Sequence, residues 1–247
     1  MFKLLTLWRK FRALRFLMLF ALSFLVLLPW FYPWLKNPAK HSQAHQLRVR
    51  WAAFLFKFMG ISWRVHHEFE PEKGQAYIIC ANHFSYLDIP TLALTYPGFL
   101  RFMAKEELEK IPLFGMFFRT LDLSVSRQNA RKASKSMMLA AEYLKKGESI
   151  VIFPEGGIKE TAPHVSRFKN GAFKLAAETG IPILPVSILG NDYLLGNGDL
   201  PEMRRGHTQV VFHPPIFAKD ETPETIEKLT QETYLLISQT VLQHANR

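Results

Sequence analysis

An uncharged stretch of 20 residues, from position 16 to position 35, restricts where this chain can reside. Five basic residues and no acidic residue precede it within the first 15 positions. A bilayer-spanning helix needs about 20 apolar residues, so the whole stretch is about long enough to cross a membrane. Pro29 and Pro33 are expected to interrupt a helix there, and the part before them has the length of a re-entrant or interfacial segment.

A second helix is predicted around residues 43–59. Its apolar residues recur at helical spacing, and basic residues lie at both ends of the pair of segments, so the charge distribution does not orient a single span. We therefore predict that residues 1–60 form a membrane-associated two-helix hairpin. A single membrane span is the alternative. The apolar residues of this second helix are Leu47, Trp51, Phe54, Leu55 and Phe58.

The net charge and the aromatic content of the chain limit the kinds of partner that it can bind. The net charge is +10 and the chain contains 21 Phe, a combination that suits either nucleic acid or an anionic membrane surface. Many of the aromatic residues lie in strongly apolar segments, which favours membrane lipids and argues against nucleic acid. Cys80 is the single cysteine, so an intrachain disulfide is excluded and a cysteine metal site is not indicated. No other metal-ligand spacing is convincing, so no bound metal or cofactor is predicted.

From residue 61 onward, strand-like and helix-like segments alternate. This alternation predicts an α/β fold with a mixed, largely parallel sheet covered by helices on both faces. We expect residues 61–247 to form this second domain. Strands are predicted at 61–68, 76–80, 100–104, 121–125, 149–153, 183–189 and 208–212, and helices at 89–95, 130–146, 168–179 and 222–244.

The segment Asn82–Asp88 follows a predicted strand, the usual place for ligand-binding groups in α/β sheets. Histidine suits general-base catalysis near neutral pH, and a nearby carboxylate can orient it. Two residues five apart point about 140° away from each other in a regular helix, so His83 can meet Asp88 only from a loop. Pro90 is tolerated only in a first turn, which predicts a helix start near residues 87–89. The alternatives are a helix N-cap for Asp88 and a structural role for His83.

Two further features lie after other strands. Gly156 and Gly157 let backbone amides approach an anion, and Glu155 beside them could bind a polyol hydroxyl or a cation. The alternative is a turn with a solvated Glu. Basic residues near strand or helix ends could bind phosphate, although most Lys and Arg side chains are simply solvated. These basic residues are Arg127, Arg167 and Lys169.

In their order and spacing, four blocks resemble the glycerolipid acyltransferase family, and most closely the bacterial 1-acyl-glycerol-3-phosphate acyltransferases. The first is the histidine-x4-aspartate block, and the others carry a Lys-Glu-Glu-Leu segment with a trailing arginine, a Phe-Pro-Glu-Gly segment, and a strand with two prolines. Each block alone is weak evidence, but four in family order are specific. The blocks lie at 82–88, 105–115 with Arg127, 153–156, and 181–186 preceded by 168–171.

The resemblance implies an O-acyltransferase that transfers a fatty acyl group from an acyl thioester to the free sn-2 hydroxyl of lysophosphatidate, giving phosphatidate for phospholipid synthesis. The co-substrate would be acyl-coenzyme A or an acylated acyl carrier protein. His83 would deprotonate the hydroxyl and Asp88 would orient His83. Lys105 would stabilise the oxyanion or the donor. The residues that would bind the acceptor are Asn82, Arg127, Glu155, Gly156 and Gly157.

The third block departs from the family. Members usually continue with Thr-Arg, whereas Gly157 and Ile158 stand here. A phosphate-binding cation must then come from elsewhere, with Lys159, Arg167 and Lys169 as candidates, or the acceptor is another lysolipid, such as a lyso-amino-acid lipid. A non-catalytic membrane-binding protein on the same fold is the alternative from a different class.

Overall fold

Seven strands form one sheet in the computed structural model, which describes residues 2–126, 128–159, 161–196 and 201–246. The spatial order is β1-β7-β6-β2-β5-β3-β4. Neighbouring strands are parallel except for the antiparallel pair β6 and β7. The strands are β1 (Ile61–His67), β2 (Ile78–Ala81), β3 (Leu100–Lys105), β4 (Leu123–Val125), β5 (Ser149–Ile152), β6 (Ile183–Leu189) and β7 (Gly206–Phe212).

Helices cover both faces of this sheet, and the predicted mixed, largely parallel α/β fold is confirmed. Two short helices, Met116–Thr120 and Asn191–Leu194, were not predicted, and the helix Gly171–Thr179 begins three residues later than expected. Two 3-10 segments, Pro38–Lys40 and Glu106–Lys110, complete the regular structure. The helices are α1 (Phe2–Lys36), α2 (His41–Met59), α3 (Asp88–Thr95), α4 (Met116–Thr120), α5 (Ala130–Lys145), α6 (Gly171–Thr179), α7 (Asn191–Leu194) and α8 (Pro223–Ala245).

Successive side chains of β2 point to opposite faces of the sheet and enter two different cores. Ile78 and Cys80 pack in a core formed with α5, α6 and α8. Ile79 and Ala81 pack in a second core with α3 and with Val49 of α2. Both faces of the central strands are therefore buried, which explains why β2, β5 and β6 are apolar runs rather than alternating ones.

The expectation that Pro29 and Pro33 interrupt the first helix was wrong, because α1 continues through both prolines to Lys36. Each proline removes one backbone hydrogen bond, but the turns around them are held by tertiary packing. Phe31 and Leu35 are almost completely buried, in a cluster with Trp51 of α2 and Phe117 of α4. This burial offsets the lost hydrogen bonds.

The N-terminal region contains one helix that is long and apolar enough to cross a membrane, over Thr6–Lys36, and only 11% of its apolar window is buried. The shorter α2 packs between α1 and the α/β domain and contacts α3. A hairpin with two membrane-associated helices and a domain boundary at residue 60 both stay predictions. The large apolar residues exposed on α1 are Leu7, Trp8, Phe11, Leu14, Leu17, Met18, Leu22, Leu25, Val26, Trp30 and Tyr32.

Candidate active site

The carboxyl ends of β6, β2, β5, β3 and β4 meet at one edge of the sheet, because these five neighbouring strands are parallel. Ligands of open α/β sheets bind at such an edge. The polar residues that follow the strands line up there in strand order. They are Asn191 after β6, His83 after β2, Glu155 after β5, Lys105 at the end of β3 and Ser126 after β4.

His83 and Asp88 are in direct contact, with 2.9 Å between His83 Nδ1 and Asp88 Oδ2. The same oxygen accepts hydrogen bonds from the backbone N–H groups of Phe84 and Ser85 at 2.9 and 3.0 Å. Asp88 opens α3 and His83 lies in the preceding loop, as Pro90 predicted. An Nδ1–H that donates to Asp88 leaves Nε2 as the hydrogen-bond acceptor of the ring, the state that a general base requires.

Asn191 is a partner of the dyad that the sequence did not reveal. Its Nδ2 donates to Asp88 Oδ1 at 2.8 Å and to Thr91 Oγ1 at 3.1 Å. Asn191 is buried at the start of α7, after Gly190 with φ +85°. Both carboxylate oxygens of Asp88 are therefore bonded, which fixes the carboxylate plane against His83. Asn191 is 103 positions away from Asp88, so no short sequence motif could have predicted their contact.

Glu155 lies beneath the His83 loop rather than in the open part of the site. Its Oε1 accepts from the backbone N–H of His83 and its Oε2 from that of Ser166, both at 2.7 Å. The residue is 1% exposed. Burial raises the pKa of the Glu155 carboxyl, opposed by the hydrogen bonds from Ser166 and His83. The side chain thus ties two loops together and places no free oxygen toward solvent.

Asn82 and Phe153 also hold the histidine loop. The side-chain amide of Asn82 forms two 2.8 Å bonds with the backbone of Ile188, donating to its carbonyl and accepting from its N–H. Asn82 is fully buried, so it joins the loop to β6. The ring of Phe153 stacks on the His83 imidazole, with centroids 3.9 Å apart and planes 14° apart. The orientation of the imidazole is therefore set by stacking as well as by Asp88.

The glycine turn after β5 lies against a lysine. Gly156 has φ +79° and Gly157 has φ +145°, conformations that favour glycine. A Cβ at Gly156 would come within 2.6 Å of Lys169 Nζ, so the ammonium group of Lys169 rests directly on this turn. Lys169 is exposed and makes no ion pair with any residue that the structure describes. The structure thus brings one of the three candidate cations to the turn.

Lys105 lies toward the other end of the edge, at the end of β3. Lys105 is half exposed and its Nζ lies 3.4 Å from Glu107 Oε1. Arg127, the predicted arginine of the second block, lies outside the described residues. Among the described residues, no group of three or more His, Cys, Asp or Glu side chains could hold a metal ion.

An apolar cavity of about 540 Å³ opens beside the histidine loop. The loop itself supplies part of the wall, and α1, α2 and α3 supply most of the rest. The cavity is large enough for an extended hydrocarbon chain, within the range of small-molecule sites. Its lining residues are Ala13, Phe16, Leu17, Phe20, Arg48, Trp51, Ala52, Leu55, Phe56, Tyr86, Leu87, Ile89, Pro90, Ala93, Phe114, Leu195, Gly196 and Pro201.

Comparison with known proteins identifies related chains. The Acyltransferase family model matches residues 62–189. A chloroplast 1-acyl-sn-glycerol-3-phosphate acyltransferase of Brassica napus, BAT2, is 30% identical over 148 residues, which are 60% of this chain and 42% of that protein. The 1-acyl-sn-glycerol-3-phosphate acyltransferase of Pseudomonas aeruginosa is 31% identical over 141 residues, 56% of this chain and 53% of that protein. The chain thus spans about half the length of these curated relatives.

One solved structure is similar over nearly the whole length. The crystal structure of PlsC from Thermotoga maritima, a 1-acyl-sn-glycerophosphate acyltransferase, matches with a TM-score of 0.76 and 25% identity. The match covers 97% of this chain and 98% of the Thermotoga chain. The N-terminal helices are therefore included in the structural likeness.

Proposed function

Because this chain belongs to the Acyltransferase family, we propose that it transfers a fatty acyl group from an acyl thioester to the free sn-2 hydroxyl of lysophosphatidate, giving phosphatidate for phospholipid synthesis. One observation carries the proposal. The His83–Asp88 dyad and the apolar cavity share the loop of Tyr86 and Leu87, so a base capable of activating a hydroxyl lies beside a site for a hydrocarbon chain. The names of the related proteins support the same reaction.

In the proposed reaction, His83 Nε2 takes the proton from the acceptor hydroxyl as the hydroxyl oxygen attacks the thioester carbonyl. Asp88 stabilises the imidazolium that forms, in the manner of a Ser-His-Asp triad. The tetrahedral intermediate then collapses, the carbon–sulfur bond breaks, and the departing thiolate takes the proton from His83. No acyl-enzyme forms, and Ser85 is not a nucleophile, since its buried Oγ donates to the carbonyl of Leu195.

The acceptor phosphate fits the turn after β5. Lys169 supplies a cation at Gly156, where the family usually has an arginine two residues later. Backbone amides of a glycine turn also suit an anion. We propose that Lys169 replaces that arginine and binds the acceptor phosphate together with Arg127. Lys105 would contact the thioester of the donor. Glu155 and Asn82 then act as positioning residues, because their polar atoms are already bonded to the backbone.

The acyl chain fits the apolar cavity between α1, α2 and α3. Burying a hydrocarbon chain there gains roughly 0.8 kcal/mol for each CH2 group removed from water. The exposed apolar face of α1 would lie in the membrane from which the lysolipid enters. We propose that α1 anchors the protein to the cytoplasmic face of the inner membrane, by a span or by insertion into one leaflet.

An acceptor assay tests the proposal. The purified protein is incubated with a radiolabelled acyl thioester, either acyl-coenzyme A or acylated acyl carrier protein. In parallel reactions the acceptor is lysophosphatidate, a lyso-amino-acid lipid, or absent. We expect phosphatidate as the main product. Faster acylation of the lyso-amino-acid lipid would replace the acceptor assignment, and acylation of neither lipid with either type of thioester would contradict the enzymatic function.

A further inference from the structure

The outward side of α5 combines cations with exposed apolar side chains. Arg131 and Lys135 are exposed and make no ion pair with any residue in the described part of the chain. Met138 is 66% exposed and Leu139 is 40% exposed. Lys135 is four residues after Arg131, and Met138 and Leu139 are three and four residues after Lys135, so the four lie along one side of the helix, on which the exposed Glu142 comes next. The four residues are called the α5 face below.

A groove of about 390 Å³ runs beside the α5 face, between α4 and α5 along the sheet edge at β4. Lys135 and Leu139 belong to the α5 face and also line the groove. Arg119 is a second cation in the groove wall. The groove also contains two carboxylates, Asp122 and Glu109. Asp122 is bound by Arg48, and Glu109 accepts a hydrogen bond from the Ser124 hydroxyl. Arg119 and Glu109 carry opposite charges, so the groove adds apolar surface next to the helix but no net positive charge.

The location of this surface suits the donor side of the reaction. The α5 helix begins shortly after β4, at the edge of the sheet that carries His83. β4 lies three strand positions from β2, a lateral distance of about 14 Å at the usual spacing of strands. The buried side of α5 packs on the sheet face opposite to the one covered by α3. A soluble partner at α5 would thus avoid the apolar cavity and still reach the site edge through a flexible arm.

We propose, building on the acyltransferase function proposed above, that the α5 face and its groove dock the acidic surface of an acyl carrier protein. The partner class follows from the shape and chemistry of the surface. A convex helix face on which two cations precede exposed Met138 and Leu139 fits an acidic protein helix, since apolar anchors with complementary charge are features of protein interfaces. The phosphopantetheine arm of the carrier then extends along the site edge and presents its thioester to His83.

A comparison of two acyl donors tests the proposal. The acyl-transfer rate to lysophosphatidate is measured with an acyl carrier protein donor and with a coenzyme A donor bearing the same acyl chain. The test protein carries Arg131→Glu and Lys135→Glu, and the matched control carries Lys228→Glu, which is an exposed position on α8. We expect the double variant to raise KM for the carrier donor by about tenfold or more, because charge complementarity accelerates association. The kcat, and KM for the coenzyme A donor, should stay within about twofold of wild type.

Several outcomes would overturn the docking assignment. An equal rise of KM for both donors would indicate a site for phosphate groups rather than for a protein. An unchanged KM for the carrier donor, or no turnover of the carrier donor by the wild-type protein, would also contradict it, while coenzyme A turnover would leave the acyltransferase function intact. A thermal unfolding curve matching wild type excludes misfolding of the variant. As a second measurement, the salt dependence of KM for the carrier donor should be weaker in the double variant than in wild type.

Discussion

At the scale of single residues, the site depends on how completely Asp88 is bonded. Its Oδ2 contacts His83 and two backbone N–H groups, and its Oδ1 accepts from Asn191. A carboxylate with four donors keeps one orientation. His83 is therefore held in the tautomer that has Nε2 available, and the geometry of the dyad depends on several residues beyond the two that make up the motif.

The contact between Asn191 and Asp88 gives a first prediction. In Asn191→Ala the buried Oδ1 of Asp88 loses its side-chain donor. A hydrogen bond to a charged group contributes roughly 1.5–3 kcal/mol, so kcat should fall about tenfold or more, while KM for lysophosphatidate changes little. Asn170→Ala, at an exposed helix start without a side-chain cap, is the matched control. Steady-state kinetics of both variants decide the matter, and an unchanged kcat in Asn191→Ala would remove Asn191 from the site.

A second prediction concerns Lys169 at the glycine turn. Lys169→Ala should raise KM for lysophosphatidate about tenfold, since one charge-assisted contact with phosphate is lost. The kcat at saturating acceptor should stay near wild type. The control is Lys174→Ala, an exposed lysine on α6, which should behave as wild type. A monoacylglycerol lacks the phosphate, so any residual activity toward it should be equal in all three proteins. A loss that is the same for both acceptors would argue against phosphate binding by Lys169.

At the scale of elements, α2 is joined to the sheet by a buried polar network. Arg48 donates two hydrogen bonds to Asp122 at 2.8 and 3.0 Å and one to the Leu100 carbonyl at 2.9 Å. The same guanidinium lies 2.9 Å from His45 Nδ1. Burial, with the nearby Arg48 charge, lowers the pKa of His45 to about 3. Arg48 also lines the apolar cavity, so this network sets the distance between the cavity wall and the sheet.

The third prediction tests that network. Arg48→Met leaves the Asp122 charge buried without its guanidinium, which should lower the free energy of unfolding by about 3–5 kcal/mol. Arg48→Met combined with Asp122→Leu removes both charges and should recover part of the loss. Chemical unfolding in detergent, followed by tryptophan fluorescence, measures both. If the single variant is as stable as wild type, the ion pair does not hold α2 to the sheet.

The elements also show which parts of the site were predictable. The His83–Asp88 contact was predictable, because the two residues are only five positions apart and Pro90 limits where the helix that Asp88 opens can begin. The contacts made by Glu155, Asn191 and Asn82 join residues 72, 103 and 106 positions apart. Such contacts depend on strand order, and one sequence does not give strand order. Similarly, local propensity at Pro29 and Pro33 predicted a break that packing against α2 and α4 overrides.

At the scale of the whole molecule, the two sides of the sheet carry different surfaces. The α1, α2 and α3 side carries the apolar cavity and the exposed apolar face of α1. The α5 and α6 side carries exposed cations near the site edge. In the proposed reaction, lipid would reach the site from the first side and a soluble donor from the second. The alternation of strands and helices predicted this sheet, but the sides on which the helices pack became clear only from the structure.

The fourth prediction concerns the membrane contact of α1. Leu22 and Val26 are 64% and 66% exposed, one turn apart. Leu22→Glu with Val26→Glu should shift the protein from the membrane to the soluble fraction, because a carboxylate in the hydrocarbon region is costly. The exposed Lys228→Glu variant serves as control. Flotation with anionic vesicles measures the bound fraction, and undiminished binding of the double variant would place the membrane contact elsewhere on the protein.

The central claim is that His83 is the general base of an acyl transfer to lysophosphatidate, and its most direct measurement is the turnover of His83→Ala. With the protein in detergent, acyl-coenzyme A and lysophosphatidate at saturation, kcat should fall on the order of 10²–10⁴-fold. The unfolding midpoint should remain close to wild type. A His83→Ala protein that forms phosphatidate at the wild-type rate would contradict the account.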